Sequence, residues 1–413
     1  TLLTACGRDD GLRAVMQVAN HNYYRIDNQR LAGNAISNQR RTYEKWGQTN
    51  RFSTQGYLNY RKTFAQDHTI EGTVGFDYMK NTVNGLSLTV TGADSDKVPT
   101  LAAGTDATGW ADTNTNEALS SYFGRLNYDY KKKYLFMFTF RADGSSKFAE
   151  GNRWGYFPSA SVAWAFGREA FVSENASWLS NGKLRLSYGQ TGNNRVGDFD
   201  YMAKLITSDN VYKYPWNGSF TPGFHIANKA NSQLKWETTE QIDFGLDLGF
   251  FDGRINVTAD YYIKTTKDLL LQADVPGSSG FTSATLNVGK LENKGLEVTL
   301  ETVNFQTKDF AWTTSLQFAT NKEKIVKLAS GLKEDVANMW FVGHPVDTFY
   351  DYVNTKYVWG YSKEDMTEMA KFNANGHSYK PGDLRFVDLD GNYKIDAYDR
   401  TFRGQKMPKW TAG

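Results

Sequence analysis

From Tyr122 to Tyr130 the chain alternates, with Tyr122, Leu126, Tyr128 and Tyr130 on one parity and Arg125, Asn127 and Asp129 on the other. The alternation returns in Ile255, Val257, Ala259, Tyr261 and Ile263 against Asn256, Thr258, Asp260 and Lys264, and in Leu296, Val298 and Leu300 against Glu297, Thr299 and Glu301. It recurs again in Trp312, Thr314, Leu316 and Phe318 against Thr313, Ser315 and Gln317. A period of two is that of an extended strand with one apolar and one polar face. Patterning of this kind predicts strands at about 13–24, 50–63, 68–80, 118–130, 133–142, 155–166, 182–190, 235–250, 254–266, 293–304 and 310–320.

The connections between these strands alternate in length. Tight links fall near Gln66 and Asp67, over Lys131 to Lys133, at Asp252 and Gly253, and near 305–309, with a medium link at 167–181 that has room for a short helix. Between them lie longer connections: about 81–117, 143–154, 191–234, 267–292 and 321–408. Consecutive turns of an antiparallel meander lie at opposite ends, so the alternation sorts tight turns to one rim and long loops to the other. Transmembrane β-barrels are built this way. A soluble sandwich has no cause to sort its loops, because both of its ends meet the same water. Strands of about nine to sixteen residues also exceed the usual five or six and suit a tilted bilayer crossing of about 9–11 residues.

Composition narrows the picture without changing it. Forty-seven Lys and Arg against 45 Asp and Glu leave +2, too balanced for the basic surface that nucleic-acid binding needs. The mean hydropathy of -0.57 fits a barrel, in which only alternate strand residues face lipid. The longest apolar run, Tyr134 to Phe138, is far short of a spanning helix. Aromatics make up 15% of the chain, and Tyr128, Tyr130 and Tyr134 bracket a lysine turn where an interfacial belt is expected. The single cysteine, Cys6, excludes a disulfide framework, a thiolate zinc site and an iron–sulfur centre. Around it, Thr1 to Gly7 has the look of a lipoprotein cleavage box, but no charged or long apolar region precedes it; a start inside a longer polypeptide is the plainer reading.

Two segments carry candidate chemistry. In 388–399, oxygen-bearing side chains recur in the ligand order of an EF-hand-type calcium loop: Asp388, Asp390, Asn392, Asp396 and Asp399, with the carbonyl of Lys394 at the seventh position. Tyr393 stands where such loops place glycine, and Asp399 where they place glutamate. The alternative is an acidic turn without metal. In 191–234, Tyr212, Tyr214, Trp216, Phe220 and Phe224 lie close to Asn210 and Asn217; rings and amides of this kind hold sugars, and rings of this kind also pack a loop on itself or against a partner. The five histidines are scattered and form no metal pair, and no nucleophile elbow or phosphate loop is present. Alternating carboxylates such as Glu297 and Glu301 read as residues of a polar wall rather than as a glycosidase pair.

The segments that carry a family resemblance are Ser121–Tyr128, Phe140–Phe148, Asn152–Ser159, Leu184–Asn193, Leu234–Thr239, Asp260–Tyr262, Asn287–Gly289, Asn293–Glu297 and Pro381–Asp383. Together they resemble the SusC/RagA family of TonB-linked outer-membrane transporters. That resemblance implies an all-β, antiparallel transmembrane barrel of about 22 strands, of which this chain supplies about half. It further implies a plug, a TonB box coupled to the TonB–ExbB–ExbD motor, a SusD-like lipoprotein lid and import of oligosaccharides or peptides. Signal peptide, plug and TonB box are not recognisable in these residues, and another strand is expected to begin at Pro408–Gly413. The competing readings are a secreted β-rich carbohydrate-active enzyme and a passive porin-like channel. The family's acidic loop ordinarily reads Asp-x-Asn-Gly-Asp-Gly, so Tyr393 is a local departure.

Overall fold

The computed structural model describes residues 2–5, 11–32, 40–98, 100–207 and 213–413. One sheet of thirteen strands dominates, with neighbours paired in chain order and antiparallel throughout. The strands are β1 (Leu2–Ala5), β2 (Gly11–Leu31), β3 (Arg41–Phe64), β4 (His68–Thr91), β5 (Asp106–Tyr130), β6 (Tyr134–Ser145) and β7 (Trp154–Trp164). They continue with β8 (Leu179–Asn193), β9 (Glu237–Phe250), β10 (Ile255–Lys267), β11 (Lys290–Gln306), β12 (Ala311–Lys327) and β13 (Trp410–Ala412). All eleven strands read from the alternation are present, and the strand foreshadowed at 408–413 is β13.

The first long strands exceed the expectation. β2 to β5 run 21 to 25 residues, so 81–91 and 106–117, expected as part of one long connection, continue the ladder and leave only 92–105 as loop. Here Asn, Thr and Gly interrupt the apolar alternation, yet the strands stay paired up to Thr91 and Asp106, with one register shift at Thr89 and Val90 that passes over Thr108. Pairing with a neighbour holds the backbone where side-chain patterning no longer does. At about 3.3 Å per residue and a tilt near 40°, such strands stand roughly 60 Å tall, well beyond the hydrocarbon of a bilayer.

Register aligns the two parities into two continuous faces. One row runs Tyr128, Phe136, Val162, Leu186, Phe244, Tyr261 and Leu296 across seven strands. From Phe136 onward every member of that row is exposed. The row beside it, on the opposite face, runs Asn127, Met137, Ser161, Ser187, Asp243, Tyr262, Gly295 and Asn321. Nothing among the described residues packs over the apolar row: the two buried apolar clusters both involve the longer connections. A sheet in water must bury its apolar face against a second layer. Among the described residues this sheet has none, which excludes the sandwich.

The rims differ as expected. Tight connections at 65–67, 131–133, 251–254 and 307–310, with a longer one at 165–178, share one rim; 92–105, 146–153, 194–236, 268–289 and 328–409 share the other. Ala65 and Gln66, Lys131 and Lys132, and Phe251 and Asp252 all take left-handed backbone, which turns the chain in the sense that strand twist requires. Just inside this rim a register row of rings, Phe64, His68, Tyr130, Tyr134 and Trp164, crosses five strands. Their centroids lie 5.2 Å (Phe64 to His68), 4.7 Å (His68 to Tyr130) and 6.2 Å (Tyr130 to Tyr134) apart. Such a girdle suits a membrane interface. Glu169, in the connection beneath it, accepts from Lys133 Nζ at 2.8 Å, Tyr134 Oη at 2.7 Å and Trp164 Nε1 at 3.2 Å. These three donors, Lys133 first, hold its carboxyl down at about 2.

The long-loop rim is capped by a small core of Phe148, Phe157, Val196, Leu234 and Trp236. Trp236 Nε1 donates to the Arg153 carbonyl at 2.8 Å. The Phe157 ring occupies the space that side chains at Gly155 and Gly192 would need, which accounts for both glycines. If the apolar face is turned to hydrocarbon, Phe138→Arg will cost about 2–4 kcal/mol of folding stability in vesicles. Asn127→Arg, on the polar face opposite Glu71, will cost little. Reversible denaturation of the complete protein in lipid measures both, and equal penalties would contradict the assignment of faces.

Candidate functional site: polar wall and loop rim

On the polar face the register brings Arg185, Gly245, Asp260 and Glu297 into one row. Gly245 has no side chain, so the Arg185 guanidinium lies across it; a Cβ there would collide with the guanidinium. Arg185 Nε and Nη2 donate to the two Asp247 oxygens at 2.9 Å each, and Nη2 also lies 2.9 Å from Asp260 Oδ1. A bidentate pair with a second carboxylate fixes the guanidinium. Next to it, a polar concavity of about 610 Å³ is lined by Gln241, Asp243, Tyr262, Lys264, Asn293 and Glu297. This open wall presents charge and hydrogen bonds. It shows no enclosed carboxylate pair flanking one bond, the arrangement a glycosidase needs. The alternation placed these carboxylates on the polar face, but only cross-strand register reveals that Arg185 serves two of them.

The connection 194–236 carries two short hairpins. Lys213–Trp216 pairs with Ser219–Pro222 around a turn at Asn217 and Gly218, both left-handed at φ 48° and 77°. Asn217 thus has a turn-making role, the usual one for an Asn-Gly pair. Tyr214 and Trp216 stand on one face of the hairpin, whereas Phe220 is registered with Pro215 on the other. Tyr212 lies outside the described residues. The expected ring cluster is therefore divided between two faces, and its members are open: Trp216 is 69% exposed, Phe220 73% and Phe224 76%. The second hairpin, Leu205–Thr207 with Phe224–Ile226, adds exposed Leu205, Ile206 and Ile226.

The connection 328–409 folds around its own core of Trp359, Met369 and Phe372, the last two on the helix Lys363–Ala374. Ser362 caps that helix by accepting the Asp365 N–H at 3.0 Å. Arg385 lies 4.5 Å over the Trp359 ring and pairs with Asp365 and Glu368. The acidic loop packs on this helix: the Tyr393 ring lies 5.6 Å from Phe372, Lys371 Nζ is 4.7 Å from the Tyr393 ring, and Ile395 N–H donates to His377 Nε2 at 2.9 Å.

Within the loop, Asp388, Asp390 and Asp399 converge, with an oxygen of each within 4.8 Å of the others. Asp388 accepts from the N–H groups of Gly391, Asn392 and Tyr393, a nest that shapes the turn. Tyr393 takes φ 60°, the left-handed backbone for which such loops use glycine, and its ring contacts offset the strain. Asp396 is not with the three carboxylates: its side chain caps the following turn by accepting the Tyr398 N–H at 2.9 Å, with Lys394 Nζ 3.7 Å from its other oxygen. Asn392 uses Oδ1 to accept the Lys394 N–H at 2.7 Å. Of the expected carboxylate ligands, Asp388, Asp390 and Asp399 converge and Asp396 is turned to the following turn. Partial desolvation, and then neighbouring Asp388 and Asp399, push the carboxyl of exposed Asp390 above its ordinary range.

Asp399 is fully buried and accepts from Leu389 N–H at 2.7 Å and Asp396 N–H at 2.8 Å. Asp399→Ala strands both amides, at about 1–3 kcal/mol each. Hydrogen exchange of 388–399 will therefore accelerate while that of β2 to β12 is unchanged; unaltered protection of the loop would refute this role.

A family model described as "TonB dependent receptor-like, beta-barrel" matches residues 7–411. Among curated proteins, TonB-dependent receptor P3 of Formosa agariphila is 35% identical over 397 residues, covering 93% of this chain and 38% of that protein. The TonB-dependent receptor SusC of Bacteroides thetaiotaomicron is 36% identical over 303 residues, covering 69% of this chain and 28% of SusC. Among solved structures, one described as the RagAB peptide transporter superposes with a TM-score of 0.81 at 23% identity, over 98% of this chain and 44% of that one. The chain thus spans well under half the length of the relatives it matches. The likeness in fold makes the sheet an arc of barrel wall.

Proposed function

The chain belongs to the family of TonB-dependent receptor-like β-barrels, and on that premise we propose that it forms part of the wall of an importer for oligosaccharides or peptides. It is an outer-membrane protein, and no described helix is long and apolar enough to cross a membrane. The observation that carries the reading is the uncovered apolar row from Phe136 to Leu296, backed by the charged wall around Arg185. A ligand in transit needs a wet, hydrogen-bonding bore and no covalent chemistry from the wall. In this orientation the long connections face outward and the tight turns face the periplasm.

On the outer side a SusD-like lipoprotein is the partner proposed for the hairpins of 205–226, whose rings stand clear of the sheet. From the periplasmic side the TonB–ExbB–ExbD complex acts through the remainder of the polypeptide. The two faces of the 213–222 hairpin separate the two roles of its rings: Tyr214 and Trp216 on one, Phe220 on the other. Glycan as ligand is favoured by rings beside amides, and peptide by the likeness in fold to the RagAB peptide transporter. In cells carrying the complete receptor, uptake of labelled oligosaccharides and peptides will require TonB. Tyr214→Ala with Trp216→Ala will lower uptake or lid capture by ~30-fold, the cost of about 2 kcal/mol at an interface hot spot. Uptake that persists without TonB would mark a passive pore instead.

A calcium ion belongs to the same reading, held by Asp388, Asp390 and Asp399 on the outer side and ordering the last long connection. Calcium will raise hydrogen-exchange protection across 388–399 and a chelator will remove it, whereas Asp390→Ala will abolish the response. Identical protection with and without calcium in the parent protein rejects the site.

A further inference from the structure

Three glycines lie on the apolar face of neighbouring strands, and they are not alike. At Gly56 the missing side chain is replaced by the Phe76 ring, whose Cε1 would stand 2.7 Å from a Cβ there. At Gly72 a Cβ would meet nothing within 4 Å, and at Gly124 only the Thr73 carbonyl oxygen at 3.9 Å. Neither takes the left-handed backbone that favours glycine. Glycine inside a strand weakens it, and where the fold makes no demand it marks the close approach of something else.

The two positions are diagonal neighbours. Gly72 pairs with Tyr60 and Leu126, and Gly124 pairs with Val74 and Phe140. Together they open a groove of about 540 Å³ in an otherwise bulky face, walled by Leu58, Tyr60, Val74, Leu126, Phe138 and Phe140. Four and six residues along their strands from the aromatic row, the glycines sit roughly 10–15 Å inside the tight-turn rim, at the depth of hydrocarbon rather than of headgroups.

We propose that the groove over Gly72 and Gly124 is a binding site for one acyl chain of an outer-membrane lipid. The inference rests on the outward, lipid-facing assignment of the apolar face. A recess flanked by projecting rings suits a single flexible hydrocarbon chain, whereas a second barrel would meet the sheet as a broad face. These six side chains are hydrocarbon apart from the Tyr60 hydroxyl, so dispersion and close fit supply the affinity.

The test uses the complete receptor in phosphatidylethanolamine nanodiscs, released into native mass spectrometry. The parent will retain a phosphatidylethanolamine through activation that strips the annular lipid, and Gly72→Leu combined with Gly124→Leu will lose it. Gly124→Val alone, which adds a strand-favouring side chain in open space, will weaken retention and guards against misfolding of the double variant. Retention unchanged in the filled variants overturns the proposal, as does a parent that holds no lipid. A lipid-free parent dimer that the substitutions convert to monomer overturns it in favour of a second copy. The underlying assignment is read separately, from a nitroxide at Phe136→Cys: quenching by a water-soluble rather than a lipid-soluble collider rejects the outward face itself.

Discussion

Hydrocarbon offers no hydrogen bonds, so every peptide group of a spanning strand must find its partner on the next strand. The rest of this architecture is a consequence. Chain-order pairing without crossovers lets each strand of the sheet satisfy its neighbour. An unmatched peptide group costs several kcal/mol in lipid, so a spanning strand is stable there only when both of its edges are paired.

With the backbone satisfied, side-chain parity is free to build two environments from one layer. On one parity, rings and aliphatic side chains lie exposed, with no covering layer among the described residues. On the other, Arg185 gathers Asp247 and Asp260 across a glycine, a polar arrangement that a wet bore tolerates and hydrocarbon would not. The girdle from Phe64 to Trp164 marks where the outer environment changes, and Glu169 ties that level to the connection below it through three donors.

The loops obey a different rule, since they stand in water and must bury their own apolar residues. The core of Phe148, Phe157 and Trp236 joins segments far apart in the chain, among them several that carry the family resemblance. In 328–409 the helix Lys363–Ala374 provides a platform on which Tyr393 docks, and the docked ring holds its backbone left-handed without glycine. By contrast Tyr214, Trp216, Phe220 and Phe224 are exposed.

The alternation by itself determined the strands, their sorting of short and long connections, and the assignment of each strand residue to one of two faces. Those features depend on local geometry, because successive side chains of an extended backbone must point to opposite sides. The extension of β4 and β5 through 81–91 and 106–117 was hidden, since polar Asn and Thr keep their place in a ladder through backbone pairing alone. Tertiary structure decided which carboxylates share Arg185, that Tyr214 and Trp216 part from Phe220, and that Asp396 leaves the trio of Asp388, Asp390 and Asp399. Each of these turns on cross-strand register or on a backbone amide capturing a side chain. Neither is written in the spacing of residue types along one strand.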